Sequence, residues 1–307
     1  MNKQKLILFL ILLLSVSCLS SAQNTTEKLI RINGTEIFTK ILGKGESIVI
    51  LHGGPGLAHN YLYEPFKQLS NSYKLIFYDQ RGCGKSSGFK QDEIVSIETL
   101  VEDLETIRKE FNIDKMILVG QSWGAIIALN YSIDHPNNIK KLLLLEPAPG
   151  SSEYLLKIQR TIMDRLSQSN KERLIKISQT PELKANPDLF KEFLKIRFHT
   201  YFYDSTFAAY LHMDYFDSTY TRKFFESSSM FSSYLINFNL YDKMNSITVP
   251  TLIIHGDYDV IPNESIERMS KAISDSKLNI VKNCGHFVHL EKQELYFNTI
   301  KSFLMKE

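Results

Sequence analysis

The pentapeptide Gly-Gln-Ser-Trp-Gly at residues 120–124 places a serine between two glycines, directly after an apolar run. Residues 116–119 have the pattern of a buried strand, and residues 125–130 have the composition of a helix. A tight strand-to-helix turn of this kind pushes the serine hydroxyl outward, and its flanking glycines let the turn close without a steric clash. The sequence therefore predicts that Ser122 is a nucleophile at one edge of a sheet.

A serine hydroxyl is a weak nucleophile near neutral pH, so it needs a base, and the base needs an acid that orients it. Asp257 and Asp259 follow one apolar run near the C-terminus. His286 and His289 follow the next apolar run. The chain order serine, aspartate, histidine is one that recurs with nucleophile turns of this type. We favour Asp259 as the acid and His286 as the base, and Asp257 and His289 remain the alternatives.

Acyl transfer through a serine also needs two preorganised N–H donors for the oxyanion. The residue after the nucleophile, Trp123, supplies one of them. Residues 52–56, His-Gly-Gly-Pro-Gly, follow the apolar run 48–51 and offer bare backbone that a ligand can approach closely. We expect Gly54 to supply the second donor. The alternative for this stretch is a tight turn that contacts no ligand.

The elements that must position these residues follow from the hydrophobic pattern. The segment 29–41 is an extended run, an Asn-Gly turn and a second extended run, which predicts an antiparallel hairpin. Helical spacing follows at 97–111, with Ser96 placed to cap the helix. Unbroken apolar runs, typical of strands buried on both faces, recur at 48–51, 75–78, 116–119, 142–145, 252–254 and 278–281. The alternation of strands and helices predicts an α/β fold with a mostly parallel sheet flanked by helices.

The alternation stops at residue 151 and resumes near residue 246. We therefore expect an α/β core over 23–150 and 246–307, and an inserted helical cap over 151–245. About half of the chain's aromatic residues lie between residues 190 and 241. We expect most of these rings to pack inside the cap and a few to line a pocket.

Composition narrows the classes of function. Lysine and arginine total 36 against 34 aspartate and glutamate, so the chain lacks the positive field that holds nucleic acid or anionic lipid. The histidines have no spacing typical of a metal site, and we expect neither a catalytic metal nor a cofactor. The expected partner is a small molecule or a short peptide. The oligomeric state stays open.

The first 22 residues have the order basic, apolar, small that is typical of a secretory signal. The apolar run 6–14 is too short for a stable membrane span. We expect cleavage after Ala22 and export to the periplasm or the medium. Lipidation at Cys18 and an uncleaved anchor are the alternatives, and both also export the chain. In an oxidising compartment Cys83 and Cys284 could pair, but two cysteines are also compatible with two buried thiols, which we favour.

Taken together, these residues resemble the α/β-hydrolase fold and, within it, the prolyl aminopeptidase (proline iminopeptidase) family. Ser122, Asp259 and His286 match the family's catalytic triad, and the resemblance spans the core from about residue 29 to the C-terminus. The blocks that carry it are 52–56 (His-Gly-Gly-Pro-Gly), 79–86 (Asp-Gln-Arg-Gly-Cys-Gly-Lys-Ser), 120–124, 256–262 and 285–291.

The resemblance implies hydrolysis of the bond after a free N-terminal residue, often proline, with acids in the cap that bind the substrate ammonium. The family's tryptophan-acid pairs are absent from the cap, because Trp123 is the chain's single tryptophan. Gln121 also replaces a usual glycine, and Asp257 stands where arginine is common. The candidate acids for an amine are Glu146, Asp214, Asp217 and Glu226.

The sequence supports three hypotheses of function. The first is an exported serine aminopeptidase that releases proline or a small apolar residue from peptides. The second is a carboxylesterase, or another acyl hydrolase, that uses the same triad on a small apolar substrate. The third is a non-catalytic binding protein on the same fold, which the complete set of candidate triad residues disfavours.

Overall fold

The computed structural model describes residues 25–213 and 217–306. Its strands are β1 (Thr26–Ile32), β2 (Thr35–Leu42), β3 (Glu46–Leu51), β4 (Tyr73–Tyr78), β5 (Met116–Gln121), β6 (Ile139–Leu145), β7 (Thr251–Gly256) and β8 (Ser276–Val281). They form one sheet in the order β1-β2-β4-β3-β5-β6-β7-β8. The β1–β2 and β2–β4 pairs are antiparallel, and the other neighbours are parallel. The mostly parallel α/β architecture predicted from the sequence is therefore confirmed.

The hairpin at the start of the described chain is closed by a two-residue turn. Ile32 pairs with Thr35, and the two residues between them, Asn33 and Gly34, have φ values of 44° and 76°. Positive φ at both positions is what a tight hairpin turn requires, and asparagine and glycine adopt it at low cost. The Asn-Gly pair therefore forms the hairpin turn that the sequence predicted.

The central strands are covered on both faces, which explains their unbroken apolar sequences. On β3, Ile48 and Ile50 point into one apolar cluster, whereas Val49 and Leu51 point into the cluster on the opposite face. Every residue of β5 and β7 is buried. Because successive side chains of a strand alternate between faces, only a continuous apolar run satisfies both layers.

Helices form the two outer layers and the segment between β6 and β7. Ser96 caps α2 through its side chain, which accepts a hydrogen bond from the Thr99 amide. The helices are α1 (Asn60–Phe66), α2 (Ile97–Glu110), α3 (Trp123–Asp134), α4 (Leu155–Arg165), α5 (Gln168–Ser178), α6 (Pro187–His199), α7 (Ser218–Met230), α8 (Ser232–Leu235), α9 (Asn263–Ala272), α10 (Val288–Glu291) and α11 (Gln293–Leu304).

The helices α4 to α8 lie between β6 and β7, within the range expected for an inserted cap, and we call them the cap. Several of their aromatic residues pack against one another. Phe190 is fully buried, and its ring centroid lies 4.8 Å from that of Phe224 and 5.5 Å from that of Phe225. These contacts give the cap an apolar centre of its own.

Cys83 and Cys284 are both buried free thiols. Burial raises the pKa of Cys83 to about 12 and raises that of Cys284 as well. Both side chains therefore stay protonated near neutral pH and behave as small packing groups. Of the two alternatives that the sequence left open, a disulfide and two buried thiols, the structure shows the two buried thiols.

Candidate active site

The serine of the Gly-Gln-Ser-Trp-Gly sequence lies in the turn between β5 and α3. Ser122 has φ 53° and ψ −119°, a combination that non-glycine residues rarely adopt. A Cβ atom on Gly124 would lie 2.5 Å from the carbonyl oxygen of Leu51, and one on Gly120 would lie 2.7 Å from the Cα of Ala125. Only glycine fits at these two positions, so the turn closes tightly and leaves Ser122 at the wall of a cavity.

Asp259 and His286 come from the loops that follow β7 and β8. The Nδ1 atom of His286 lies 2.7 Å from Oδ2 of Asp259, within hydrogen-bond distance. The two loops touch through glycine, because a Cβ atom on Gly256 would lie 2.2 Å from the carbonyl oxygen of Gly285. Both side chains are almost fully buried, and His286 lines the same cavity as Ser122. The sheet therefore brings the three side chains to one edge.

The surroundings of Asp259 favour its charged form. Burial alone opposes ionisation, but the imidazoles of His286 and His255 and the hydrogen bonds to the carboxylate outweigh burial and lower the pKa of Asp259. Its second oxygen, Oδ1, accepts a hydrogen bond from the Ile261 amide at 3.0 Å. Burial also lowers the pKa of His255, which lies 3.5 Å from Asp259. Of the two imidazoles, that of His286 lies closer to the Asp259 carboxylate.

The alternative acid and base lie elsewhere. The Asp257 carboxylate accepts a hydrogen bond from the Cys284 amide at 3.4 Å and lies 3.5 Å from the Lys282 ammonium. His289 is fully buried, and burial lowers its pKa to about 3. Its ring packs against Tyr61 and Tyr296. Of the two acids and two histidines that the sequence offered, Asp259 and His286 are the pair in contact.

The two candidate oxyanion donors, Gly54 and Trp123, both line the cavity beside Ser122. The Trp123 indole points away from it, since its Nε1 donates to Gln80 at 3.0 Å and its ring packs against Phe231. Gly54 has φ 139°, which favours glycine.

A chain of hydrogen bonds that the sequence did not reveal supports the glycine loop. The Gly53 amide donates to the Tyr61 hydroxyl at 2.7 Å, and this hydroxyl donates to Oε1 of Gln121 at 2.6 Å. Nε2 of Gln121 lies 3.5 Å from Nε2 of His286. Gln121, which replaces a usual glycine of the resembled family, thus connects the loop with the imidazole.

The cavity in front of Ser122 has a volume of about 440 Å³. Core residues such as Ile126 and Val260 form one side, and cap residues such as Phe193 and Phe224 form the other. Among the described residues that line it there is no carboxylate, and Arg197 is the one that carries a full charge. The site is therefore an apolar chamber with a few polar groups, as expected for a small-molecule site.

The candidate acids for a substrate amine do not line this cavity where the structure describes them. Glu146 is fully buried, and burial, with the charge of Asp259, raises its pKa well above the ordinary value. Asp217 caps α7 by accepting a hydrogen bond from the Tyr220 amide at 2.7 Å. Glu226 is exposed, 3.7 Å from Arg222. Asp214 lies outside the described residues.

The described part of the chain shows neither a metal site nor a membrane span. It contains no group of three or more histidine, cysteine, aspartate and glutamate side chains that could hold a metal ion. None of its helices is long and apolar enough to cross a membrane. The predicted signal at residues 1–22, with Cys18, lies outside the described residues.

The fold and this geometry have counterparts among known proteins. The family model of the alpha/beta hydrolase fold matches residues 46–293, which is most of the chain. The chain belongs to the α/β-hydrolase fold family. The fold family expected from the sequence is thus confirmed, and relatives named proline iminopeptidase confirm the narrower resemblance. Many proteins of this fold carry a nucleophile in a strand-turn-helix segment of the kind found at Ser122, with an acid and a histidine later in the chain.

The relatives of this α/β-hydrolase include both peptidases and esterases. It is 30% identical to the proline iminopeptidase of Lactobacillus helveticus, over 88% of this chain and 95% of that protein. It is 28% identical to the proline iminopeptidase of Saccharolobus solfataricus, over 92% of this chain and 93% of that protein. Among solved structures, an esterase from Exiguobacterium antarcticum has a TM-score of 0.69 and 25% identity, over 92% of this chain and 100% of that chain.

Proposed function

We propose that this α/β-hydrolase is a serine hydrolase that works through an acyl-enzyme. Nε2 of His286 takes the proton of the Ser122 hydroxyl as its oxygen attacks the substrate carbonyl. Asp259 stabilises the imidazolium that forms, and the amides of Gly54 and Trp123 hold the oxyanion. The observation that carries this proposal is the 2.7 Å contact between Asp259 and His286 at the cavity of Ser122.

The second half of the cycle reverses the proton transfers. The imidazolium of His286 protonates the leaving group, which departs as an amine or an alcohol. Water then gives a proton to the imidazole and attacks the acyl carbon. Collapse of the second oxyanion returns the proton to Ser122 and releases the acid.

The first candidate activity is release of an N-terminal residue, proline or a small apolar residue, from short peptides. It is supported by relatives named proline iminopeptidase that are 28% and 30% identical over most of the chain. An aminopeptidase needs an anion, or several carbonyl groups, near the substrate ammonium. Of the four acids considered, Asp214 is the one whose surroundings are not described.

The second candidate activity is hydrolysis of esters, or other acyl bonds, of small apolar substrates. The described residues that line the cavity include no carboxylate, and this favours ester hydrolysis. A cavity wall without a carboxylate does not compensate the charge of a buried ammonium. Similarity to the esterase of Exiguobacterium antarcticum supports it as well. Both candidates use the same three side chains.

A panel of three substrates separates the two activities. It consists of proline 4-nitroanilide, its N-acetyl derivative and 4-nitrophenyl butyrate. An aminopeptidase should cleave the free anilide and lose at least about a hundredfold in kcat/KM on acetylation, because the ammonium contact disappears. An esterase should prefer the butyrate and cleave both anilides poorly. Binding of the substrates without turnover of any of them would favour the third hypothesis, a non-catalytic binding protein.

Ser122→Ala is the control that ties any turnover to this site. It should lower kcat by at least about a thousandfold, with the unfolding transition unchanged. Ser228, another serine that lines the cavity, donates to the Pro55 carbonyl at 3.4 Å and provides the matched variant. Ser228→Ala should lower kcat by less than about tenfold. Equal rates for Ser122→Ala and the parent would overturn the mechanism.

We also propose that the chain is exported, to the periplasm or the medium. The order of basic, apolar and small residues over residues 1–22 supports the proposal. Sequencing of the mature N-terminus tests it, because cleavage by a signal peptidase should expose Gln23. A mature chain that begins with a lipid-modified Cys18 would favour the anchored alternative, and a chain that keeps Met1 inside the cell would contradict export.

A further inference from the structure

Arg197 is a half-buried cation in the wall of an otherwise apolar cavity. It lies in the last turn of α6, and with Phe193, Leu194 and Phe198 it forms the stripe of that helix that lines the chamber of Ser122. The spacing of these residues places them on one helix face. Within the described part of the chain, the Arg197 guanidinium makes no hydrogen bond and no ion pair.

Two other arginines of the cap, Arg173 and Arg165, have protein partners. Arg173 makes two hydrogen bonds to the Glu192 carboxylate, at 2.7 and 2.6 Å. Arg165 donates to the carbonyl oxygens of Thr200 and Asp259 at 2.8 and 3.2 Å. A guanidinium that loses part of its hydration and gains no protein acceptor is destabilising, unless a ligand supplies the acceptor. Arg197 is therefore suited to bind an anionic ligand.

The position of Arg197 indicates where the anion would lie. A second cavity of about 350 Å³ extends between α4, α5 and α6 inside the cap. Phe193 and Arg197 line both this cavity and the chamber of Ser122. Among the described residues of the second cavity there is again no carboxylate. We consider a ligand whose carbonyl lies at Ser122. If its far end extends towards the cap, it approaches the Arg197 cation and meets no anion among the described lining residues.

We propose that the substrate carries a carboxylate, which pairs with Arg197 while the acyl carbon lies at Ser122. A guanidinium binds a carboxylate through two parallel hydrogen bonds, and apolar walls strengthen such a pair. The substrate is then a short peptide with a free C-terminus or a monoester of a dicarboxylic acid. This inference rests on the serine hydrolase proposed above and adds a charge to its substrate.

Matched substrates that differ only in this charge test the proposal. Prolyl-alanine is compared with prolyl-alaninamide, and the 4-nitrophenyl monoester of adipic acid is compared with the corresponding monoamide. Of the pair that the parent protein cleaves, it should prefer the member with the carboxylate. We expect this preference to be at least about tenfold in kcat/KM, mainly through a lower KM. In Arg197→Met this preference should fall by at least about tenfold, and Arg197→Lys should retain part of it.

Lys195, an exposed cation on the same helix, provides the matched control. Lys195→Met should keep the preference of the parent. An equal loss for the charged and the neutral member of a pair in Arg197→Met would indicate a structural role and overturn the proposal. Equal rates for both members in the parent would overturn it as well. A different result, turnover that persists in Ser122→Ala, would overturn the serine hydrolase proposal itself.

A binding experiment tests the same point without turnover. Calorimetry on Ser122→Ala compares 4-phenylbutyrate with 4-phenylbutyramide, which have nearly the same shape. The carboxylate should bind at least about tenfold more tightly, and an additional Arg197→Met substitution should remove the difference. A carboxylate that binds no more tightly than its amide would contradict the proposal.

Discussion

At the scale of single residues, the structure argues against Glu146 as the group that binds a substrate amine. The resemblance to proline iminopeptidases made it one of four candidate anions for a substrate amine. In the structure its side chain is fully buried, and burial, with the charge of Asp259, raises its pKa well above the ordinary value and so favours the neutral form. A neutral carboxyl group does not attract an ammonium. Sequence alone did not reveal this, since the burial of Glu146 depends on elements far away along the chain.

The raised pKa of Glu146 predicts how stability depends on pH. The folded protein holds a proton on Glu146 at pH values where the unfolded chain has lost it. The free energy of unfolding therefore falls as pH rises above the ordinary value of 4.5, by up to about 1.4 kcal/mol per pH unit from this group. Glu146→Gln should remove this loss, so its stability relative to the parent should increase from pH 5 to pH 7.

Denaturant titrations at several pH values measure this effect. Glu226→Gln, which removes an exposed carboxylate, is the control and should stay within about 0.5 kcal/mol of the parent. A constant difference between Glu146→Gln and the parent across this pH range would show that Glu146 is ionised in the folded protein.

Asp259 has the opposite role, because its charge is what the site uses. Asp259→Asn should lower kcat by about ten thousandfold, since an amide stabilises the wrong tautomer of His286 and cannot balance the imidazolium. Asp257→Asn should change kcat by less than about tenfold, because Asp257 contacts the Cys284 amide and Lys282 instead. Steady-state kinetics on the two variants decides between the acids, and a larger loss in Asp257→Asn would reverse the assignment.

At the scale of elements, the two loops after β7 and β8 approach more closely than side chains allow. A Cβ atom on Gly256 would lie 2.2 Å from the Gly285 carbonyl oxygen and 2.3 Å from that of Cys284. Gly256→Ala should therefore separate the loops of Asp259 and His286. We expect a loss of about 2 kcal/mol or more in the free energy of unfolding, together with a loss of activity.

Gly88→Ala is the matched control, because the nearest atom to its new Cβ would be the Lys223 Cε at 3.8 Å. It should change the free energy of unfolding by less than about 0.5 kcal/mol. Thermal unfolding and kinetics on both variants measure these effects. Wild-type stability and activity in Gly256→Ala would show that the contact between the loops is not required.

The elements that the sequence predicted well are those with a local signal. Buried strands are visible as unbroken apolar runs. The Asn-Gly pair at residues 33 and 34 is typical of a two-residue hairpin turn. The turn at Ser122 also has a local signature, its two close glycines. The hydrogen-bond chain from Gly53 through Tyr61 to Gln121 has no such signal, because Tyr61 and Gln121 are 60 positions apart in the sequence. The lack of a partner for Arg197 among the described residues likewise depends on side chains from several separate segments.

At the scale of the whole molecule, polar contacts hold the cap on the core. Lys223 of α7 donates to the carbonyl oxygens of Gly84 and Ser86, at 3.0 and 2.6 Å. On the other side, Arg165 of α4 donates to the carbonyl oxygen of Asp259. The sequence predicted an inserted helical cap from the interrupted alternation of elements. It did not predict these contacts, which join residues more than 90 positions apart.

Lys223→Met should loosen α7 without unfolding the core. It leaves two backbone carbonyls without their donor, a loss of about 1–3 kcal/mol. Amide hydrogen exchange over residues 218–230 should then increase by about tenfold or more, while exchange in β5 should stay unchanged. Arg222→Met, which removes an exposed cation of the same helix, should have little effect. Equal acceleration in α7 and β5 would mean that the cap and the core open together.

The most direct test of the account is covalent capture of the nucleophile. A fluorophosphonate reacts with a serine only where a base and an oxyanion site activate it. Mass spectrometry of the labelled protein should show one phosphonyl group per chain, and peptide mapping should place it on Ser122. Attachment to a different residue, or no labelling of the folded protein, would contradict the proposal that Ser122, His286 and Asp259 act together.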